Sequence, residues 1–478
     1  MLSVKKNYLC PQIFKMKSNE QRPVNPNRIL FVLCMAAFLV PFMGSSINLA
    51  LPQISADFSL KSIAVTWIST SYLITTAIFQ MPMARLSDLT GRKRVFIFGV
   101  LIFSVTSFLS GLSTSGEVLI VFRSLSGIGS AMMFGTNMAI LTSIFPPHKR
   151  GKALGINTAV VYASIALGPF LGGLITHHLG WQSIFFVSAI VGILVIVCAF
   201  MFFDEEWIAA KGEKFDWTGS FAYGIALFGL IFGFTELPSV SGIIWIAVGC
   251  VSFWLFTLQE NRCKFPLFNI HLFKHNKVFV FSSSAALINY AATFAIGFIL
   301  SLYLQYIRGF DARHAGLILV VQAAVQSIMA LLSGRLSDRI SPSKLATSGM
   351  LTIVVGLTGL LFLAADTPMW FIITLLVIMG LGFGIFSSPN TNVIMSSVEK
   401  KNYGQASATT GTVRLIGQAL SMGIASMVIS LKIGNQKITE TVYPQFMESV
   451  HIMFLIFIAL CIIGVFASMV SRKKQKLN

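Results

Sequence analysis

Two arginines stand inside long apolar runs of this chain. Arg123 lies in Phe122-Arg-Ser-Leu-Ser-Gly127-Ile-Gly129 and Arg414 in Val413-Arg-Leu-Ile-Gly417. A charge at the centre of a bilayer costs about 2.5–3.5 kcal/mol on insertion scales, so each needs a counter-ion, water or a ligand. Arg123 is close enough to one end of its run to snorkel, whereas Arg414 lies deeper. Proton carriers in membranes are usually carboxylates, yet all 17 Asp and Glu fall in tails, loops or run ends. Asp57 and Glu236 are the candidates to reach inward and titrate; a loop carboxylate lying deeper than its place in the sequence suggests is an alternative. The third reading has no such coupling, with the two arginines attracting an anionic substrate. Intramembrane amides at Asn48, Asn137, Asn289, Gln322, Gln326 and Asn390 either line a polar path or join helices. There is no G-x-x-x-x-G-K-S/T, no H-E-x-x-H and no C-x-x-C, so neither nucleotide, metal nor other cofactor is expected, and no enzyme. His177-His178 reads as a solvated loop.

The elements that position these residues follow from composition. The 478 residues are 55% hydrophobic and 11% charged, and the mean hydropathy is +0.79. Soluble domains carry about 25% charge, so a water-soluble enzyme is excluded. A spanning helix needs about 20 apolar residues, and fourteen runs meet that length: 29–51, 64–84, 95–112, 118–143, 152–177, 181–203, 218–237, 242–258, 278–305, 313–333, 344–365, 369–391, 403–431 and 449–470. The expected fold is an all-α membrane protein with both termini on one side. Net charge is +18, but the cations are dispersed in short loops, which speaks for topology and against nucleic acid. Of 35 Lys and Arg, 28 fall on the side of the termini, 5 on the other and 2 inside runs, so the termini are expected in the cytoplasm. Six scattered cysteines give no disulfide framework.

An internal repeat is present. Arg85-Leu-Ser-Asp88 recurs 250 residues on as Arg335-Leu-Ser-Asp338, and Gly127, Gly129 and Asn137 recur 253 on as Gly380, Gly382 and Asn390. The paired features lie eight runs apart, so two helices are inserted between two six-helix halves. Expected domains are a tail (1–28), a six-helix bundle (29–203), a linker with two extra helices (204–277), a second bundle (278–470) and a tail (471–478). Parallel halves of this kind place a substrate path at their interface near the midplane and rock to give alternating access.

Three segments then carry a family resemblance. After the second run comes Ala84-Arg-Leu-Ser-Asp88-Leu-Thr-Gly91-Arg92-Lys93-Arg94, similar to a G-x-x-x-D-x-x-G-R-R/K loop with Ala84 for the first glycine; the second copy keeps Gly334. The fifth run contains Gly168-Pro169-Phe-Leu-Gly172-Gly173, similar to G-P-x-x-G-G, and the first ends Asn48-Leu-Ala-Leu-Pro52. On these segments the chain resembles a major facilitator superfamily transporter, and more narrowly the fourteen-span drug:proton antiporters. The resemblance implies a major-facilitator fold and efflux of amphipathic drugs or toxic compounds from the cell by a monomeric, multi-pass cell-membrane carrier exchanging a small molecule for protons. It assigns gating to Asp88, Gly91, Arg92, Lys93, Gly334 and Asp338, and an antiporter-type bend to Gly168, Pro169, Gly172 and Gly173. The pattern departs at Met43, which stands where relatives have an aspartate implicated in proton coupling. A carrier of organic anions or metabolites is the alternative within transport; a membrane-embedded enzyme or sensor is the alternative outside it.

Overall fold

The computed structural model describes residues 25–237, 239–267, 276–337, 339–398, 403–434 and 436–475. Among the described residues, fourteen helices are long and apolar enough to cross a membrane, so the protein is a multi-pass membrane protein. They are α1 (Pro26–Asp57), α2 (Ser62–Thr90), α3 (Arg92–Gly111), α4 (Gly116–Ile144), α5 (Pro147–Leu179), α6 (Gln182–Phe202), α7 (Trp217–Glu236) and α8 (Val240–Arg262), then α9 (Lys277–Ile307), α10 (Ala312–Leu336), α11 (Pro342–Leu360), α12 (Met369–Ser396), α13 (Tyr403–Lys432) and α14 (Tyr443–Gln475). Helix starts follow capping chemistry. Asn25, Ser115, Asp216, Ser239, Asn276 and Asp311 each accept a hydrogen bond from a backbone N–H of the first turn. Gly91 (φ 120°) makes the sharp turn between α2 and α3. α9 is interrupted near Phe294, where the Ala295 N–H donates to Ser421 Oγ at 3.0 Å, and it ends in a π turn at Tyr303–Ile307.

Packing within α1–α6 is repeated within α9–α14. α4 lies against α2 and α3, as α12 lies against α10 and α11; α1 lies against α5 and α6, as α9 lies against α13 and α14. The correspondence reaches single residues. A Cβ added to Gly129 would stand 2.7 Å from the Gly99 carbonyl oxygen, and one on Gly382 would stand 2.9 Å from that of Gly349. The two sets of six meet along two seams, α5 against α10 and α2 against α13. α7 packs on both α2 and α13, and α8 packs on α7 through Gly229 and Gly233 facing Gly249 and Gly242. The inserted pair thus flanks one seam only.

Candidate functional site: the central cavity

Midway along the helices, between the two sets, lies a cavity of about 170 Å³, room for on the order of ten waters. Its wall repeats itself. Pro41, Gly44, Ser45 and Asn48 of α1 are matched 249 residues on by Tyr290, Thr293, Phe294 and Gly297 of α9, all eight lining it. Tyr72, Leu73 and Thr76 of α2 are matched at offset 250 by Gln322, Ala323 and Gln326 of α10. Val161, Tyr162 and Ile165 of α5 are matched at offset 253 by Arg414, Leu415 and Gln418 of α13. Phe134 of α4 and Phe383 of α12 complete the aromatic lining.

The two arginines are separated by the fold. Arg123 is buried behind the wall: its guanidinium stacks 4.2 Å from the Tyr72 ring centroid and its Nε donates to the Ile68 carbonyl at 3.1 Å. Its two terminal nitrogens have no hydrogen-bond partner among the described residues. Tyr72, fixed by its hydroxyl against Ser130 Oγ (2.8 Å) and the Val40 carbonyl (3.3 Å), stands between Arg123 and the cavity. Arg414 lines the cavity itself, 5.5 Å from the Phe134 centroid across the interface. No other charged side chain does so among the described residues. Met43, where the aspartate of relatives is missing, is buried in the apolar core outside the lining.

The amides divide as well. Asn48, Gln322 and Gln326 line the cavity, while Asn137, Asn289 and Asn390 lie outside its wall. Asn137 donates to the Leu33 carbonyl at 2.8 Å, tying α4 to α1, and Asn390 donates to the Ser282 carbonyl at 3.2 Å, tying α12 to α9. Each is the helix-joining amide of its own set. The Asn289 amide is fully buried and has no hydrogen-bond partner among the described residues.

Hydrogen bonds between the two sets run from the middle of the molecule to the end opposite the termini, hereafter the far end. Ser301 Oγ donates to the Asn48 carbonyl (2.8 Å), Thr66 and Ser426 hydroxyls meet at 2.9 Å, and the Ser62 N–H donates to the Gln436 carbonyl (2.8 Å). Residues 168–173 of α5 pack here both within their own set and across to α10. Gly172 packs on Ser46 of α1, Gly173 lies against the Ala312 carbonyl of α10, and Gly316 lies against the Pro169 carbonyl. Gly168 seats α5 on Ser45. Asp311 joins His314 (2.8 Å) and, across the seam, His177 (3.5 Å). Burial raises the Asp311 pKa, but the His314 N–H and the two imidazoles outweigh it and hold the carboxyl below its usual value. Asp57 is exposed at the end of α1 and accepts from Trp181 Nε1 at 2.7 Å; Glu236 ends α7. Neither touches the cavity wall.

At the end bearing the termini, Asp88 accepts from Arg92 Nε at 2.8 Å and Nη2 at 2.7 Å, and Arg92 Nη1 donates to the Ala139 carbonyl at 2.9 Å. The segment 204–216 is clasped by this loop rather than being a free linker. The Asp88 carbonyl accepts from the Ala209 and Ala210 N–H groups (3.1 and 2.9 Å), Glu206 accepts from the Lys93 N–H (2.8 Å), and Arg85 pairs with Glu213. Ala84, which breaks the glycine pattern, has its room supplied from across the contact. A Cβ on Gly135 would be 3.1 Å from Ala84 Cβ, whereas in the second set Gly334 faces Ser388 at 3.0 Å. Asp338 lies outside the described residues.

Reasoning from residue types alone passed over Tyr72, Tyr162, Tyr290, Phe134, Phe294, Phe383 and Gln418. With 42 phenylalanines in the chain an aromatic residue carries little information. The repeat offsets were the usable signal, because cavity-lining positions recur in register.

Comparison with known proteins gives a consistent picture. The sequence model of the Major Facilitator Superfamily matches residues 33–422 and, again, 282–477. The riboflavin transporter RibZ of Clostridioides difficile is 28% identical over 398 residues, covering 83% of this chain and 87% of its own. The tetracenomycin C resistance and export protein of Streptomyces glaucescens is 28% identical over 412 residues (85% and 76%). The methylenomycin A resistance protein of Bacillus subtilis is 28% identical over 413 residues (84% and 87%). A crystal structure of a bacterial homolog of the human lysosomal transporter Spinster, inward-facing and unoccupied, superposes with a TM-score of 0.70 at 18% identity, over 95% of this chain and 98% of that one. At that identity the likeness is one of fold.

Proposed function

This chain belongs to the major facilitator superfamily, a family of transporters and not of enzymes, and on that premise we propose that it exports amphipathic aromatic compounds by alternating access, powered by the electrochemical proton gradient. The observation that supports this reading is the midplane cavity: walled by matching positions of two repeated helix sets, and bounded by cross-set hydrogen bonds toward one end. Rocking the sets about it exchanges closure at the far end for closure at the other. Export is favoured over uptake by the resistance and export proteins among the relatives, and the aromatic lining suits planar apolar compounds. The Lys and Arg asymmetry orients the termini to the cytoplasm of a cell membrane, so the far-end contacts lie at the outer face. The halves that rock are 29–203 and 278–470, in one chain acting as a monomer.

The gating loops act at the inner end. Asp88 holds Arg92, which in turn holds α4, and this pairing breaks and reforms as the inner ends part and meet. Proton uptake, on this reading, belongs to Asp57 or Glu236 and not to the cavity. A second reading, a carrier of organic anions driven by the membrane potential, is favoured by Arg414. Accumulation of a broad panel of aromatic drugs in cells with and without the protein, repeated after an uncoupler, tests the main reading. Lower accumulation that the uncoupler abolishes is expected; equal accumulation across the whole panel removes it.

A further inference from the structure

From the charge of the cavity we propose that its preferred occupants are aromatic anions, held by Arg414. This deepens the second, anion-carrier reading, with the membrane potential in place of proton exchange as the driving force, and rests on the transporter reading. Arg414 is the only charged side chain lining the cavity among the described residues, and it makes no ion pair with any of them. It is half-buried on α13 near the midplane, where an uncompensated guanidinium is costly. The other intramembrane arginine does not share the task, because Tyr72 screens Arg123 from the cavity.

The repeat strengthens the argument. The position matching Arg414 in the first set is Val161, which also lines the cavity. The architecture is therefore satisfied by an apolar residue at this place, and the charge is an addition to one wall only. A guanidinium presents five donors in a planar fork suited to a carboxylate, sulfonate or phenolate. Around it are Phe134, reached across the interface, and Tyr290, Phe294 and Phe383, a wall for the flat body of such a ligand. Gln418, one turn along α13, supplies a further amide. A cationic drug would face the Arg414 charge with no carboxylate on the wall to offset it.

Charge bookkeeping then sets the energetics. With Arg414 neutralised by its ligand the loaded carrier moves without net charge, and the empty carrier returns carrying one positive charge. Each cycle moves one negative charge outward, so an inside-negative potential drives export, to about fiftyfold accumulation per 100 mV.

The test uses three isosteres: anthracene-9-carboxylate, anthracene-9-carboxamide and 9-anthracenylmethylammonium. Binding to the purified full chain is measured by calorimetry in detergent. We expect the carboxylate to bind at least tenfold more tightly than the amide and the ammonium, with the preference lost in Arg414→Gln. Arg414→Lys, which keeps the charge without the fork, retains the preference at lower affinity. In proteoliposomes a potassium-diffusion potential at equal pH on both sides drives carboxylate flux, and a pH gradient imposed without a potential does not. Equal or tighter binding of the ammonium, a preference that survives Arg414→Gln, no binding of the carboxylate, or flux indifferent to the potential each overturns the proposal. If Arg414→Gln does not fold, the wild-type ranking and Arg414→Lys decide. Failure here with normal drug efflux in cells leaves the transporter reading standing; loss of efflux with selective anion binding does the reverse.

Discussion

Replacing Gly173 by alanine should unlatch the far end while leaving each helix set intact. Gly173 sits on α5 where that helix crosses α10, and a Cβ there would stand 3.1 Å from the Ala312 carbonyl carbon and still closer to its oxygen. A backbone carbonyl cannot swing aside as a side chain can, so α5 and α10 must separate or bend. Overpacking of this kind costs about 1–3 kcal/mol. Because the crowded atoms belong to different sets, the cost falls only on the conformation closed at the far end. Closed and open populations should then shift by about 5–150-fold toward open. Spin labels at Thr114→Cys and Asp366→Cys, exposed on the far-end loops of the first and second set, report the change in a background without native cysteines. Double electron–electron resonance should show the short-distance population replaced by a longer one, with turnover reduced by a comparable factor. The neighbouring Gly172 faces Ser46 within its own set, so Gly172→Ala should lower thermal stability without that redistribution. A Gly173→Ala protein with unchanged distances and wild-type transport would refute the assignment of this contact to the far-end closure.

Other perturbations follow from the same contacts. Asp88→Asn removes the negative charge that holds Arg92; because the pair is partly exposed, stability should change by no more than about 1 kcal/mol, while turnover in proteoliposomes falls severalfold. Gly135→Ala should destabilise by about 1–3 kcal/mol, since its Cβ would stand 3.1 Å from Ala84 Cβ, the Ala84 nitrogen and the Gln80 carbonyl oxygen, and Ala84→Gly in the same chain, which relieves only the first of these, should restore part of the loss, read from paired melting curves. Asp311 has its pKa lowered by His314 and His177, so its support for far-end closure is complete above the ordinary carboxylate range and is lost as pH falls through the depressed value. Distances between the far-end labels should therefore lengthen at strongly acid external pH, and Asp311→Asn should abolish that change.

The fourteen spans and the repeat were legible because both are one-dimensional properties. Insertion of a helix depends on summed transfer free energy along the chain, and the duplication preserves spacing. The inserted helices also follow from counting runs between repeated motifs, although nothing in the count indicates that α7 would straddle α2 and α13 while α8 packs on α7. What the linear pattern obscures is facing. Each residue turns a helix by about 100°, and in a bundle that is apolar both to lipid and to core the hydrophobic pattern does not say which way inward is. Hence the sequence separates Arg123 from Arg414 by depth and not by facing, although one is stacked behind Tyr72 and the other lines the cavity. The same ambiguity leaves the role of Asn137 and Asn390 open in the sequence: they recur in register, and in the structure their symmetry is that of two helix joints. Conserved spacing between two halves identifies whatever the fold needs twice. A residue required by the substrate and not by the fold should break that symmetry, as Arg414 does against Val161, and it is in such mismatches on a shared wall that the specificity of a duplicated transporter is to be sought.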